Sequence, residues 1–290
     1  MNRKLIISCV VLHYNTIKDT EKCISSILNI ANKSNNYEVK IIIVDNNSKN
    51  NTGKILKEEY ENKENIYCII NSENLGFSAG NNIGFKYAKH NLKSDFIVLF
   101  NNDTYIINDN FFDEIIESYE RKQWAVMGPK IQLKDGTYNP INLREITPKR
   151  VEDDILYYKK MIKFYHMHFY NIYAFARNIK NRIVKNIKPI DVNKEYYNIL
   201  LHGCCWIFSN KYIQLFDGLD EKTFMYAEEE LLLLKLKRNK LINYYNPKIL
   251  IGHSEYSSTK TVQNFNLYRY ENLIKANEVL LKEIQETKNE

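Results

Sequence analysis

Phe96-Ile-Val-Leu-Phe-Asn-Asn-Asp-Thr104 is a short apolar run that breaks off into two amides and a carboxylate. A run of this length bounded by polar residues suits a central parallel strand buried on both faces. In open α/β sheets the ligand crevice lies outside the carboxyl ends of such strands. Asp103 is therefore placed where a carboxylate can hold a hard cation, and the cation a phosphate. Taken alone, Asn101 to Thr104 read as well as a turn with a helix cap. The construction recurs, however. Val39-Lys-Ile-Ile-Ile-Val-Asp-Asn-Asn-Ser48 ends in Asp45 and amides, and Leu5-Ile-Ile-Ser-Cys-Val-Val-Leu12 runs into His13-Tyr-Asn-Thr16, so all these strands open toward one polar edge.

Between the first two strands, Ile17, Ile24, Ile27, Leu28 and Ala31 fall at helical spacing, and Thr16 with Asp19 gives a capping-box-like start. Strand, helix, strand is a βαβ unit. It repeats through a helix near Thr52 to Glu61, a strand at Ile66 to Ile70, a helix near Ser78 to His90 and the strand expected to end in Asp103. Such alternation predicts an α/β fold with a parallel sheet covered by helices.

Composition sets limits on this picture. The chain of 290 residues can bury a full core, and an aromatic content of 13% with 22 Tyr argues against disorder for most of it. Cys9, Cys23, Cys68, Cys204 and Cys205 are odd in number and lack CxxC spacing, which points to buried thiols in a reducing cytosol and away from a zinc site or disulfide framework. The sequence begins close to a strand with no cleavage-site pattern, and no apolar run reaches the roughly 18 residues needed to span a bilayer. A cytoplasmic protein is expected.

Net charge is a mild +6, from 41 Lys and Arg against 35 Asp and Glu. It matters where it clusters. From Val151 to Lys188 basic residues, including Lys159, Lys160 and Lys163, interleave with Tyr, Phe, Ile and Met without Gly or Pro. This predicts a helical insertion, either lying on an anionic membrane surface or packing its aromatics on the α/β core. No nucleic-acid reader motif accompanies the charge, so nucleic acid is not an expected partner.

Two further clusters carry chemistry. Asn74-Leu-Gly-Phe-Ser-Ala-Gly-Asn-Asn-Ile-Gly84 has GxxxGxxxG spacing, which is not the dinucleotide fingerprint. Its glycines permit close backbone approach and its amides can meet polar ligand groups, or the glycines simply let a helix pack tightly on the sheet. Downstream, Glu228, Glu229 and Glu230 open a helix that continues through four leucines. Acidic residues favour a first helical turn. An apolar helix would nevertheless turn at least one of them toward a partly dry position, where its pKa rises toward that of a general base; Glu230 is expected to be a solvated helix-start residue.

The ordered set His13-Tyr-Asn15, Ile43-Val-Asp-Asn-Asn-Ser48, Asn74-Leu-Gly-Phe77 with Asn81, Phe100-Asn-Asn-Asp103, His202-Gly-Cys204 and Phe224-Met-Tyr-Ala-Glu-Glu229 resembles the family 2 inverting glycosyltransferases of the GT-A fold, in particular a rhamnosyltransferase-like branch of bacterial surface-polysaccharide enzymes. It covers residues 5 to 138 and 198 to 258; the last thirty residues match no motif. The resemblance implies a Rossmann-like, mostly parallel central sheet flanked by helices. It divides the chain into a nucleotide-sugar half (1–138), a helical insertion (139–197), an acceptor and catalytic half (198–258) and a C-terminal helical segment (259–290).

By the same resemblance, Asp45 would meet the nucleotide base, His13, Tyr14 and Asn15 would line the nucleoside pocket, and Asn74, Gly76, Asn81 and Asn102 would lie along the nucleotide. Asp103 is the last acid of a DxD-type motif whose first acid is Asn101 here, and it would hold Mn²⁺ or Mg²⁺. His253, in Gly252-His-Ser-Glu-Tyr-Ser-Ser258, is a second candidate for the metal or diphosphate, or a structural histidine. Glu228-Glu229 matches the family's Glu-Asp base pair, with Glu229 as base; the later family aspartate is Leu231. The implied activity is inverting transfer of a sugar from a nucleoside diphosphate donor, UDP- or dTDP-linked, to a glycan or lipid-linked glycan acceptor, with peripheral contact at the inner face of the plasma membrane. A nucleotidyltransferase and a non-catalytic nucleotide-sugar-binding protein are the competing expectations.

Overall fold

A computed structural model describes residues 3–31, 33, 36–167, 190–254 and 265–289. The chain opens as β1 (Leu5–His13), α1 (Ile17–Ala31), β2 (Tyr37–Asp45), α2 (Thr52–Tyr60), β3 (Ile66–Ile70), α3 (Phe77–His90) and β4 (Phe96–Asn101). These strands pair in the order β3-β2-β1-β4, all parallel. Alternate residues explain the uninterrupted apolar runs. Ile7, Cys9, Val11, Ile41 and Ile43 join the core under α1 and α2, whereas Val10, Ile42 and Val44 join the one under α3. With both faces covered, no strand position in the middle can be polar at low cost.

The order places a switch point between β1 and β4, where successive connections leave in opposite directions and open a crevice at the strand ends. β4 stops at Asn101, and Asn102-Asp103 form the turn into β5 (Thr104–Ile106). Asp103 thus sits one turn beyond the strand expected to end in it. Thr16 forms no capping box; its hydroxyl accepts from Asn102 Nδ2 at 2.7 Å.

Beyond β4 the sheet departs from parallel order. After α4 (Phe111–Lys122), β6 (Val126–Leu133), α5 (Pro148–His166) and the short β7 (Tyr196–Tyr197), strand β8 (Cys205–Ser209) inserts antiparallel between β4 and β6. A one-turn helix α6 (Asn210–Ile213) and helix α7 (Glu228–Arg238) follow, then β9 (Asn243–His253) and α8 (Phe265–Asn289). β9 runs parallel to β6 and antiparallel to β5, and its last residue, His253, is in register with Thr104.

The expected insertion is not wholly helical. Residues 138 and 142 form bridges to Gln132 and Leu200, and β7 pairs with β9, so both ends of segment 139–197 belong to the sheet's margin. Its described helix, α5, packs Val151 and Ile155 with Leu231 of α7 and with Leu280 and Ile284 of α8. The part from 168 to 188 lies outside the described residues, as do 255–258 of the histidine segment. Cys9, Cys23, Cys204 and Cys205 are buried thiols.

Candidate active site

The crevice at the strand ends is a cavity of about 760 Å³. Leu12, Tyr14, Asn46, Asn74 and Gly76 line it, with Asn101, Asn102, Asp103 and His253 and with the acidic cluster Glu228, Glu229 and Glu230. Tyr157 and Tyr158 of α5 and Tyr268, Arg269 and Asn277 of α8 line it too.

The amide cluster on this wall is rigid because its members satisfy one another. Asn46 donates from Nδ2 to Asn74 Oδ1 and to Gly76 O, both at 2.9 Å, and its Oδ1 accepts from Leu75 N and Asn71 Nδ2. Asn74 Oδ1 also accepts from Gly76 N. Gly76 adopts a positive φ of 81°, and a Cβ there would lie 2.1 Å from Phe224 O. Only glycine lets loop 214–227 come this close. Gly84, by contrast, does the packing work: a Cβ there would meet Val10 Cγ1 at 2.3 Å.

Several residues expected at the ligand turn out to build the frame. Asp45 is buried; its carboxylate accepts from Ser48 N and Oγ, and Gly53 leaves it room, since a Cβ there would lie 2.1 Å from Asp45 Oδ2. His13 is fully buried, with Nδ1 on Thr20 Oγ1 at 2.7 Å and Nε2 on Thr52 Oγ1 at 2.8 Å. Burial lowers its pKa to about 4, so it is a neutral tie between α1 and α2. Asn15, at φ 64°, accepts from Lys49 N at its Oδ1 and from Asn50 Nδ2 at its backbone O. Asn81 donates to Phe77 O within α3. None of these four lines the cavity. At the β2 end it is Asn46, one residue after Asp45, that reaches the cavity wall.

Loop 214–227 carries the acidic cluster into place. Asn82, next to the expected Asn81, accepts from Leu219 N at 2.7 Å and donates to Leu219 O and Glu221 Oε1. Phe77 N donates to Phe224 O at 2.8 Å. Tyr226 and Ala227 then take positive φ of 74° and 62°, an unusual pair for side-chain-bearing residues, and α7 starts on Ala227 without a side-chain cap. Strain of about 1–3 kcal/mol per such residue is typical of functional sites and is sustained by surrounding contacts.

The turn aims three carboxylates into the cavity. Glu229 Oε1 accepts from Gly203 N at 2.6 Å, whereas Glu228 Oε1 is buried without a partner among the described residues. Burial pushes both pKa values up to about 7, opposed for Glu229 by the Gly203 amide and reinforced for Glu228 by its acidic neighbours. Glu230 is not the solvated residue expected from sequence: burial raises its pKa as well, and it lies near Arg150 and Asp154.

Asp103 and His253 face each other, Nε2 to Oδ1 at 3.3 Å, each only about a tenth exposed. Two donors at adjacent corners of an octahedral cation, with bonds of ~2.1–2.2 Å, stand ~3 Å apart, so this pair fits two positions of one Mn²⁺ or Mg²⁺. Among the described residues no group of three or more His, Cys, Asp or Glu converges for a metal. A cation here would draw its remaining ligands from water and the substrate. The His202 ring stands edge-on to His253, centroids 5.6 Å apart, and its Nδ1 accepts from Cys204 N, which puts the proton of neutral His202 on Nε2.

Sequence reasoning gave no role to Asn46, Asn82, Gly203 or the α8 residues. Gly203 contributes a backbone N–H, which leaves no side-chain signature. The α8 wall is assembled from a segment without motif, by packing on α5 and α7.

Solved structures share this architecture. Staphylococcus aureus TarS residues 1–349 in complex with UDP superimposes with a TM-score of 0.51 at 18% identity, covering 94% of this chain and 65% of that one. GalNAc-T7 with UDP, GalNAc and Mn²⁺ gives 0.61 at 12% identity, covering 93% and 48%. In sequence, the Low-salt glycan biosynthesis hexosyltransferase Agl10 of Haloferax volcanii is 22% identical over 223 residues, 77% of this chain and 59% of that protein. The chain thus spans less than two thirds of these proteins' own lengths. Residues 8–178 match Glycosyl transferase family 2, more than half of the chain, and the protein belongs to that family.

Proposed function

We propose that the protein is an inverting glycosyltransferase that moves a sugar from a nucleoside diphosphate to a hydroxyl of a glycan. The observation that carries this is one cavity joining a cation-competent Asp103–His253 pair at a strand-end crevice to a carboxylate, Glu229, whose pKa of about 7 suits a base. The nucleoside lies against Tyr14, Asn46 and Asn74, and the diphosphate against Asp103, Asn102 and His253. A divalent cation held by Asp103 and His253 would neutralise charge on the leaving diphosphate.

Glu229 does the proton chemistry. Gly203 N–H fixes Oε1, leaving Oε2 to take the proton of the acceptor hydroxyl. That oxygen forms the new bond to the anomeric carbon as the bond from that carbon to the diphosphate oxygen breaks, and the configuration inverts. Glu228, whose buried Oε1 has no partner among the described residues, orients the acceptor or a donor hydroxyl.

TarS and GalNAc-T7 were solved with UDP, which makes UDP-sugars the first donors to test. The finer part of the proposal is a cytoplasmic enzyme that touches an anionic membrane carrying a lipid-linked acceptor. The stripe Leu156, Lys160 and Lys163 on the outer face of α5 supports it, while Lys159 is engaged by Glu278. No helix among the described residues is long and apolar enough to cross a membrane. The test is thermal shift with UDP-, dTDP- and GDP-sugars, with and without Mn²⁺. A shift for one base class, enlarged by Mn²⁺, is expected; no shift with any of them overturns the proposal.

A further inference from the structure

A second cavity of about 410 Å³ adjoins the first, and the two share His202, Arg144 and Glu229. Glu229 is the partition: Glu228 and Glu230 face only the larger space. The smaller cavity is of a size that holds small ligands. Its floor is Gly128, Pro129 and Ile131 of β6, where the pairing with β9 slips between Pro129 and Lys130. Bulges of this kind recur beside active sites.

Its wall is fixed by backbone bonds before any ligand arrives. Asn139 N donates to Ile131 O at 2.9 Å, Leu133 N to Thr137 O at 2.8 Å and Leu200 N to Asn142 O at 3.3 Å. The polar groups on that wall are the amides of Asn139 and Asn142 and the guanidinium of Arg144, with which no carboxylate pairs among the described residues. Amides beside Pro140, Ile141 and Tyr245 present the mixture of hydrogen-bonding and apolar surface that a pyranose ring offers in return.

In-line displacement fixes which substrate belongs here. On the transferase assignment the donor occupies the larger cavity, whose wall holds Asp103, His253 and Glu229. The attacking hydroxyl must come from the side opposite the diphosphate, within reach of Glu229. The smaller cavity adjoins the larger one at Glu229, so a hydroxyl held in it has the base beside it. Building on the transferase assignment above, we propose that this cavity is the acceptor subsite and that it takes a sugar residue bearing an acidic group, which Arg144 pairs. Without a cation at that point, an anion beside Glu229 would be repelled as soon as the base ionised.

Ligand-observed NMR on the full chain, at saturating UDP and Mn²⁺, tests this with methyl glucoside, methyl glucuronide and glucose 6-phosphate as probes. The acidic probes should bind wild type about two- to fivefold tighter than the glucoside, the worth of an exposed guanidinium–anion pair; whichever acid is preferred identifies carboxylate or phosphate as the group read. Arg144→Gln should erase that preference and keep glucoside binding. Asn139→Trp, which fills the cavity, should lose all three probes at unchanged UDP affinity, and Asn139→Ala, a milder change, should weaken them. Equal binding of the three probes by wild type overturns the acidic specificity. Probe binding that survives Asn139→Trp overturns the subsite, and so does a loss of UDP in that variant, which would give the cavity to the donor. Failure of UDP to bind the wild type is a different result: it removes the transferase assignment itself.

Discussion

Two clusters on the wall of the main cavity, the amides around Asn46 and the carboxylates of Glu228 and Glu229, are built on opposite principles. In the amide cluster every side-chain polar atom of Asn46 has a partner, and Asp45 and His13 behind it are likewise engaged. In the acidic cluster, among the described residues, Glu228 Oε1 has none, Glu229 has a single backbone donor, and the backbone just before them is held at positive φ. A satisfied network gives rigidity and shape, whereas a carboxylate denied partners keeps a raised pKa and a free lone pair. Recognition can sit on the first kind of structure. Proton transfer needs the second.

The largest test of that contrast is Glu229→Gln. Gln keeps an oxygen for Gly203 N–H but cannot take a proton, so transfer at saturating donor should fall by about 10² to 10⁴ while UDP affinity holds. A rate near wild type would move the base to Glu228, and an unaffected Glu228→Gln as well would remove base catalysis from this site. Activity of the wild type should rise with pH through about 7 as Glu229 ionises.

Asp103→Ala is expected to weaken UDP binding in Mn²⁺ by about tenfold or more, equivalent to ~1.4 kcal/mol, and to leave metal-free binding and the melting temperature unchanged. Asp103 lies in a turn at the cavity, outside both cores. Calorimetry with and without Mn²⁺ separates the two affinities; equal losses in both would remove the cation from this pair.

Asn46→Ala attacks the satisfied cluster. It strands Asn74, Gly76 and Leu75 groups in a buried place, and a cost of about 1–3 kcal/mol is expected, seen as a drop in melting temperature of about 2–4 °C per kcal/mol. Nucleoside and nucleotide affinity should fall together, with or without metal. Unchanged stability would mean that the amide network is ornamental.

The smallest effect has the opposite sign. Glu228 carries a folded pKa of about 7 against 4.5 for an ordinary Glu, so the folded state holds a proton that the unfolded state releases between those values. The cost is absent below about 4.5, grows as pH rises and is complete above about 7. Glu228→Gln should therefore melt level with wild type at pH 4.5 and a few degrees above it at pH 8. Parallel curves at both pH values would show that Glu228 is solvated in the folded state.

The β1-α1-β2-α2-β3-α3-β4 run was legible because burial on both sheet faces forces uninterrupted apolar strands that stop at polar residues. That Asp103, Glu228 and Glu229 line one cavity is a finding of the structure; the sequence placed Asp103 at a strand end and the glutamates at a helix start, and joined them only through the family resemblance. Legibility ended at the orientation of single side chains. Asp45 and Asn46 are neighbours, and which of them reaches the cavity wall depends on the strand's alternation and on Ser48 and Gly53 as partners; of Asn81 and Asn82 neither reaches it, and only Asn82 ties α3 to Leu219. Glu230 was expected in solvent, since nothing in its neighbourhood in sequence announces Arg150 and Asp154 across from it.

By itself, then, the sequence determined the alternating α/β order, the polar edge at which the strands end and the acidic start of α7, because periodicity, turn residues and charge act over a few residues. Only the tertiary structure decided that β8 enters antiparallel, that β9 brings His253 to 3.3 Å from Asp103, that Gly203 N–H holds Glu229 and that α8 closes the cavity. Each of those joins residues far apart in the chain, and their meeting is set by strand register and by burial of apolar faces across the whole fold.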